Sequence, residues 1–205
     1  MSRRVNIDVN KILEIAKQRF LELGIRKTEM KDIANMMSIG RSSLYRHFPS
    51  KEIISFYIGI DIIKDLTSPL FQPETLTGSG FECIEIVMKE FVEKLILNPQ
   101  EIRFLDEFDE LFSGAYPENY ASNAFTEFNK RTSDTVQAYL KRGIIDQSIR
   151  NDIDPIFTEK LFNNVLFGVA QRVIPRQAHF LIEQGFGNEI LRNTLDFLLQ
   201  GIRAK

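Results

Sequence analysis

From residue 9 onward the apolar side chains of this chain recur at intervals of three and four, and almost nowhere at intervals of two. That spacing lines one face of a helix and cannot line one face of a strand, so it constrains the fold class first. Val9, Ile12, Leu13, Ala16, Phe20 and Leu23 form the first stripe, with Asp8 placed to cap it and Gly24 to end it. A second, short helix is expected from Thr28, a capping residue type, with Glu29 in its first turn and Met30, Ile33, Ala34 and Met37 on its apolar face. Ser38-Ile39-Gly40 reads as a turn and Arg41 to Phe48 as a third helix, stopped by Pro49. Ser50 then caps a long helix running to about Leu66. Further helices are expected at about 81–97, 100–112, 119–142, 155–174 and 187–203, with a short extra one within 176–184. Asp154-Pro155 is a cap followed by proline at the first helical position. With no alternating run of useful length and no internal repeat, the expectation is an all-α protein.

Charge is divided unevenly along the chain. Residues 1–51 hold 11 Lys and Arg against 5 Asp and Glu, a net of +6; residues 52–205 hold 15 against 23, a net of −8. A basic front on an acidic body implies that the front meets a polyanion and the body does something else. Residues 67–80, with two prolines, two glycines and many hydroxyls, read as a connector. The expected organisation is a domain over 1–51, linked by the helix of residues 50–66 to a helical domain over 67–205. The longest apolar stretch, Ile53 to Ile60, has 8 residues, against the roughly 20 that span a bilayer. Met1-Ser2-Arg3-Arg4 opens no apolar secretory segment. A cytoplasmic location and no membrane partner are the corresponding expectations. The single Cys83 can form neither an internal disulfide nor a cysteine-based zinc site.

The basic front carries the clearest chemistry. Two short helices joined by a three-residue turn, the second basic and ending in aromatics, make a helix-turn-helix over about 29–48. The second helix must bury one face and offer polar side chains from the other to a major groove. On a helical wheel Leu44 and Phe48 share the buried face, Ser42, Ser43 and Arg46 point the other way, and Arg41, Tyr45 and His47 flank them. Arginine reads guanine through two hydrogen bonds, serine serves base edges or phosphates, and a tyrosine hydroxyl suits a phosphate oxygen. Lys51, in the first turn of the next helix, would bring its charge to a helix N-terminus, a ready phosphate site.

The run Thr28-Glu29-Met30-Lys31-Asp32-Ile33-Ala34, followed by Leu44-Tyr45-Arg46-His47-Phe48-Pro49-Ser50-Lys51-Glu52, resembles the helix-turn-helix of the TetR family of bacterial transcriptional regulators. The likeness is dense over about residues 9–54 and only architectural beyond. It implies an N-terminal three-helix helix-turn-helix DNA-binding domain joined to a helical ligand-binding and dimerisation domain. It implies DNA contacts at Lys31, Arg41, Ser42, Ser43, Tyr45, Arg46, His47 and Lys51, with Thr28 a further contact by its capping position. It also implies a homodimeric repressor on a pseudo-palindromic double-stranded DNA operator, released by a small-molecule effector. Two positions depart from the family pattern. Ser38 stands where glycine is usual, at a turn position of positive φ, and Gly40 stands where a capping serine is usual. Either the turn is slightly reshaped or Gly40 takes over the unusual backbone angle.

Fourteen of the 17 phenylalanines follow residue 67. Phe at helical spacing is first of all core, yet an aromatic-rich interior suits an apolar or aromatic effector, with Phe104, Phe108, Phe125, Phe128 and Phe167 as candidate contacts. Apolar stripes in the last two long helices (Phe162, Val165, Leu166 and Val169; Ile190, Leu191, Leu195, Leu198 and Leu199) point to a homodimer built through them. Asp106, Glu107, Asp109 and Glu110 interleave with Ile102, Leu105, Phe108, Leu111 and Phe112, so the acids fall on the solvated face and no metal site is expected. No cofactor motif and no convergent set of acid, base and nucleophile appears, so the chain reads as no enzyme. Two other readings remain: a DNA-binding protein whose body takes a protein partner or no effector, and a helical lipid carrier or enzyme with a merely structural front.

Overall fold

Asp8 accepts the Asn10 N–H at 2.9 Å and so starts α1 (Val9–Leu23) in the computed structural model, which describes residues 8–72 and 74–205. The chain continues through α2 (Met30–Met36), α3 (Arg41–His47), α4 (Lys51–Leu66), α5 (Gly80–Leu97) and α6 (Pro99–Leu111). Then come α7 (Tyr120–Asn129), α8 (Asp134–Ile145), α9 (Pro155–Val173), α10 (Gln177–Gln184) and α11 (Glu189–Ile202). Among the described residues there is no strand, only an isolated bridge between Ile149 and Arg203. The all-α class follows from the three-and-four spacing.

The helix expected over 119–142 is two helices. Lys130 to Ser133 hold neither glycine nor proline, so the periodicity runs through them without a visible stop. Ser133 nevertheless caps α8, its hydroxyl accepting the Val136 N–H at 3.1 Å. The cap of α2 is likewise displaced by one residue: it is Glu29, whose N–H donates to Asp32 Oδ2 at 3.1 Å, and not Thr28.

Two compact units divide the chain differently from the segments 1–51 and 67–205. One runs to Ile62 and includes Arg103–Asn129; the other comprises Ile63–Ile102 and Lys130–Lys205. Aromatic packing explains why residues 103–129 belong with the N-terminal helices. Phe104 stacks on Phe20 with ring centroids 6.1 Å apart, and Phe56 meets Phe108 at 5.1 Å and Phe125 at 5.7 Å.

In the second unit the segment read as a connector is hydrogen-bonded along α8. The Ser133 hydroxyl donates to the Leu70 carbonyl, Thr135 to that of Gln72, and Arg142 to those of Leu76 and Gly78. The Tyr139 hydroxyl accepts the Leu76 N–H at 3.0 Å, and Asp146 accepts the Gly80 N–H at 2.7 Å. The apolar stripes of the last long helices serve first inside the chain: Phe162 and Leu166 of α9 and Leu191, Leu195 and Leu199 of α11 are all buried. Each helix keeps a second face. Leu161, Val165, Gly168 and Val169 on α9, and Ile190, Phe197, Leu198 and Gly201 on α11, are exposed or half-buried.

Candidate nucleic-acid interface

Helix α2 ends with the Ile39 N–H donating to the Ala34 carbonyl, a closure that forces the residue between into the left-handed region. That residue is Ser38, at φ +54. Gly40, with φ −68 and ψ 143, caps α3 in an extended conformation open to any residue. Of the two ways expected for the departure from glycine at position 38, serine itself takes the unusual angle.

Leu44 and Phe48 anchor α3, at 0 and 4 % exposure. Around that anchor Arg41, Ser42, Tyr45, Arg46 and His47 are exposed and Ser43 is half-buried. The Arg46 guanidinium donates to Ser43 Oγ at 3.1 Å, so two candidate contacts lean on each other across one helical turn. Lys31, Arg41 and Tyr45 line one surface groove between the start of α2 and α3. Lys31 pairs with Glu29 at 2.7 Å, and that hydrogen-bonded carboxylate holds its ammonium above the usual lysine range. The arrangement presents cations, hydroxyls and an imidazole on one convex helix face, which suits phosphates and base edges together.

Two expected contacts are otherwise engaged. Thr28 is wholly buried: its hydroxyl donates to the Gly24 carbonyl at 2.8 Å, its N–H to the same oxygen at 3.3 Å, and its own carbonyl accepts from Lys51. No polar group of Thr28 is left for DNA. The Lys51 ammonium has three protons, and it donates to the carbonyls of Ile25, Arg26 and Thr28 at 2.8, 2.8 and 3.0 Å. Lys51, half-buried and lining the same groove as Lys31, Arg41 and Tyr45, thus spends its ammonium protons on bracing the α1–α2 turn.

The residue that sequence reasoning set aside is Glu107. Assigned to the solvated face of α6, its carboxylate instead accepts the N–H groups of Ile25 and Arg26, both at 2.8 Å. No spacing rule connects positions 82 residues apart, and the hint was only that an acid sat beside a strongly aromatic stripe.

The effector candidates Phe104, Phe108 and Phe125 have 2, 0 and 3 % exposure and lie in the N-terminal unit's aromatic cluster, with rings against their faces. They are core. Phe167 packs its ring against Phe91 at 5.5 Å, and Phe128 is half-buried. In the second unit α5, α8 and α9 meet in an apolar seam lined by Ile84, Met88, Val136, Leu140 and Phe162 with Thr158 and Glu159, packed too closely to admit a water molecule. Glu159 is buried there, accepting the Ser133 N–H at 2.7 Å, and burial pushes its carboxyl above the usual carboxylate range. No helix among the described residues is long and apolar enough to cross a membrane.

Residues 12–54 match the family described as bacterial regulatory proteins, tetR family. Over 114 residues the chain is 30 % identical to the HTH-type transcriptional repressor KstR2 of Mycobacterium tuberculosis, a match covering 47 % of this chain and 57 % of that protein. The chain thus spans little more than half the length of that curated relative. The solved structure of the ketosteroid transcriptional regulator KstR2 of M. tuberculosis superposes with a TM-score of 0.56 at 20 % identity, covering 98 % of both chains. Thermus thermophilus FadR, a TetR-family transcriptional repressor solved with lauroyl-CoA, gives 0.63 at 18 % identity over 96 and 95 % of the two chains. At those identities the structures speak to fold, and the family match at residues 12–54 speaks to the segment from α1 into α4 that carries the candidate interface. The helix-turn-helix segment of this chain is thus similar to the tetR family of bacterial regulatory proteins, and its fold is similar to that of solved regulators of that family.

Proposed function

We propose that the chain is a sequence-specific transcriptional repressor that binds double-stranded DNA as a homodimer and leaves it when a small apolar effector binds. The observation that carries this reading is the polar face of α3: Arg41, Ser42, Tyr45, Arg46 and His47 stand exposed around a buried Leu44, inside the segment that matches the family. Two such helices in a two-fold dimer enter successive major grooves about 34 Å apart, which suits a palindromic operator.

The second faces of α9 and α11 support a dimer. They bring Leu161, Val165, Phe197 and Leu198 to the surface, and at Gly168 and Gly201 an added methyl would meet nothing within 4 Å, leaving room for a partner helix to come close. The effector reading draws on the relatives, one named for ketosteroids and one holding a fatty acyl thioester, and on the apolar lining of the seam between α5, α8 and α9. That seam has no room even for a water molecule, so an effector bound there must part α5, α8 and α9. Such an opening shifts DNA affinity to the extent that the effector prefers the parted arrangement.

A gel shift against the DNA upstream of the chain's own gene, backed by selection from random duplexes at low salt, tests the reading. Retention of a defined palindrome supports it, and failure to retain any duplex sinks it. Lauroyl-CoA and a 3-ketosteroid, added in turn to the retained complex, test for release.

A further inference from the structure

The backbone turn from Gly24 to Thr28 is gripped from two other helices. Its N–H groups go to α6: Glu107 Oε2 accepts from Ile25 and Oε1 from Arg26. Its carbonyls go to α4, where Lys51 takes those of Ile25, Arg26 and Thr28. The turn is shaped around the carboxylate, because Gly24 has φ +92 and a Cβ there would lie 2.7 Å from Glu107 Oε2. Two more side chains on the same face of α6 reach the same place. Arg103 donates to the Leu21 and Glu22 carbonyls at the end of α1, and Glu110 pairs with the Arg26 guanidinium at 3.1 Å.

Electrostatics sets Glu107 apart from its neighbours. The C-terminal end of α1 carries partial negative charge, which welcomes Arg103 and opposes a carboxylate. Glu107 is held against that field by two backbone N–H groups belonging to the residues that aim the chain into α2. Glu29, the cap of α2, follows Thr28 directly, and α2 leads through Ser38 and Gly40 into α3.

We propose that Glu107 is a positioning residue for operator binding: without touching DNA, it fixes the entry of α2 and thereby the angle at which α3 meets the groove. The proposal rests on the repressor reading above. It is tested in the full-length protein with Glu107→Gln, which keeps the shape and sets an amide N–H₂ against one backbone donor, and with Glu107→Ala.

Amide hydrogen exchange is read at Ile25 and Arg26, and affinity is read on the selected operator and on random duplex. The two amides are expected to exchange about tenfold faster, with Leu44 still protected. Operator affinity is expected to fall about tenfold while random-duplex affinity stays within about twofold, since the phosphate-seeking charge of the interface is intact. Unchanged exchange at 25 and 26, or faster exchange with operator affinity kept, overturns the proposal. So does an equal loss on both duplexes with protection lost throughout α1–α3, which would make Glu107 a general stabiliser. Wild-type protein that binds no duplex brings down the repressor reading and this proposal with it, a result distinct from wild-type binding that survives the substitution.

Discussion

Gly80 and Gly143 meet backbone to backbone where α5 passes α8: a methyl group on Gly80 would lie 2.0 Å from the Gly143 nitrogen and 2.5 Å from the Tyr139 carbonyl oxygen. Neither neighbour can swing aside as a side-chain tip would. Gly80→Ala is therefore expected to cost about 3 kcal/mol, at the upper end for an inserted methyl, by forcing two helices apart. Urea unfolding measures it; a loss within about 0.5 kcal/mol, the range of a neutral surface change, would show that the crossing relaxes freely.

The turn of the helix-turn-helix carries serine where glycine fits and glycine where a capping hydroxyl fits. Ser38→Gly relieves a left-handed angle and is expected to stabilise by about 0.5 kcal/mol after the flexibility glycine adds to the unfolded chain. Gly40→Ser supplies a cap for α3 worth a few tenths of a kcal/mol, and its Cβ has only Ser42 Oγ nearby, at 3.8 Å. Thermal melts of the two single variants check both signs.

Lys51 and Lys31 separate bracing from DNA contact. Lys51→Met leaves three backbone carbonyls without their donor and is expected to lower stability by about 1–3 kcal/mol. It should weaken operator binding without changing the slope of log affinity against log salt. Lys31→Ala, which removes an exposed ammonium, should lower that slope by about 1 and leave the melting temperature nearly unchanged. Salt titrations of both variants make the comparison.

Phe197 is 81 % exposed on the second face of α11. Phe197→Asp is expected to leave the monomer fold within about 0.5 kcal/mol, as for other surface changes, while converting a dimer to monomers. Sedimentation velocity reads the mass, and an unchanged dimer would move the interface away from this face.

Glu159 makes stability depend on pH in the opposite sense to a salt-bridged acid. Burial raises its pKa above the ordinary 4.5, so the folded state holds this proton where the unfolded chain has lost it. Its contribution is greatest below that ordinary value and declines as pH rises, until the folded carboxyl also ionises. Glu159→Gln removes the decline, so the variant should gain on wild type steadily from about pH 4.5 upward. Urea midpoints across that range would show it, and a constant difference would exclude it.

What could be read from the sequence was what local spacing encodes. Stripes such as Ile12, Ala16 and Phe20 gave α1, and the alternation of Leu44 with Arg41, Ser42 and Arg46 gave the exposed face of α3, because a helix of known pitch converts order into direction. Caps were harder. Thr28 and Glu29 are both plausible helix starts, and tertiary burial of the threonine hydroxyl decided between them. The bracing roles of Lys51 and Glu107 are invisible to spacing for a shared reason: each is spent on backbone groups far away in sequence, and a lone charged residue carries no mark of such a partner. The phenylalanines show the same limit in apolar form. Helical spacing says that Phe104 and Phe108 are buried, and cannot say that they are buried against Phe20 and Phe56 rather than around a ligand.

The segment between α4 and α5 has the composition of a tether, the kind of stretch that usually lengthens and shortens freely among related chains. Here Leu70, Gln72, Leu76, Gly78 and Gly80 are each matched to a successive partner along α8, about 63 residues away. One residue added or removed would slide every later match out of step with the helix it is fastened to. Its spelling can drift where side chains face water, but its length is counted.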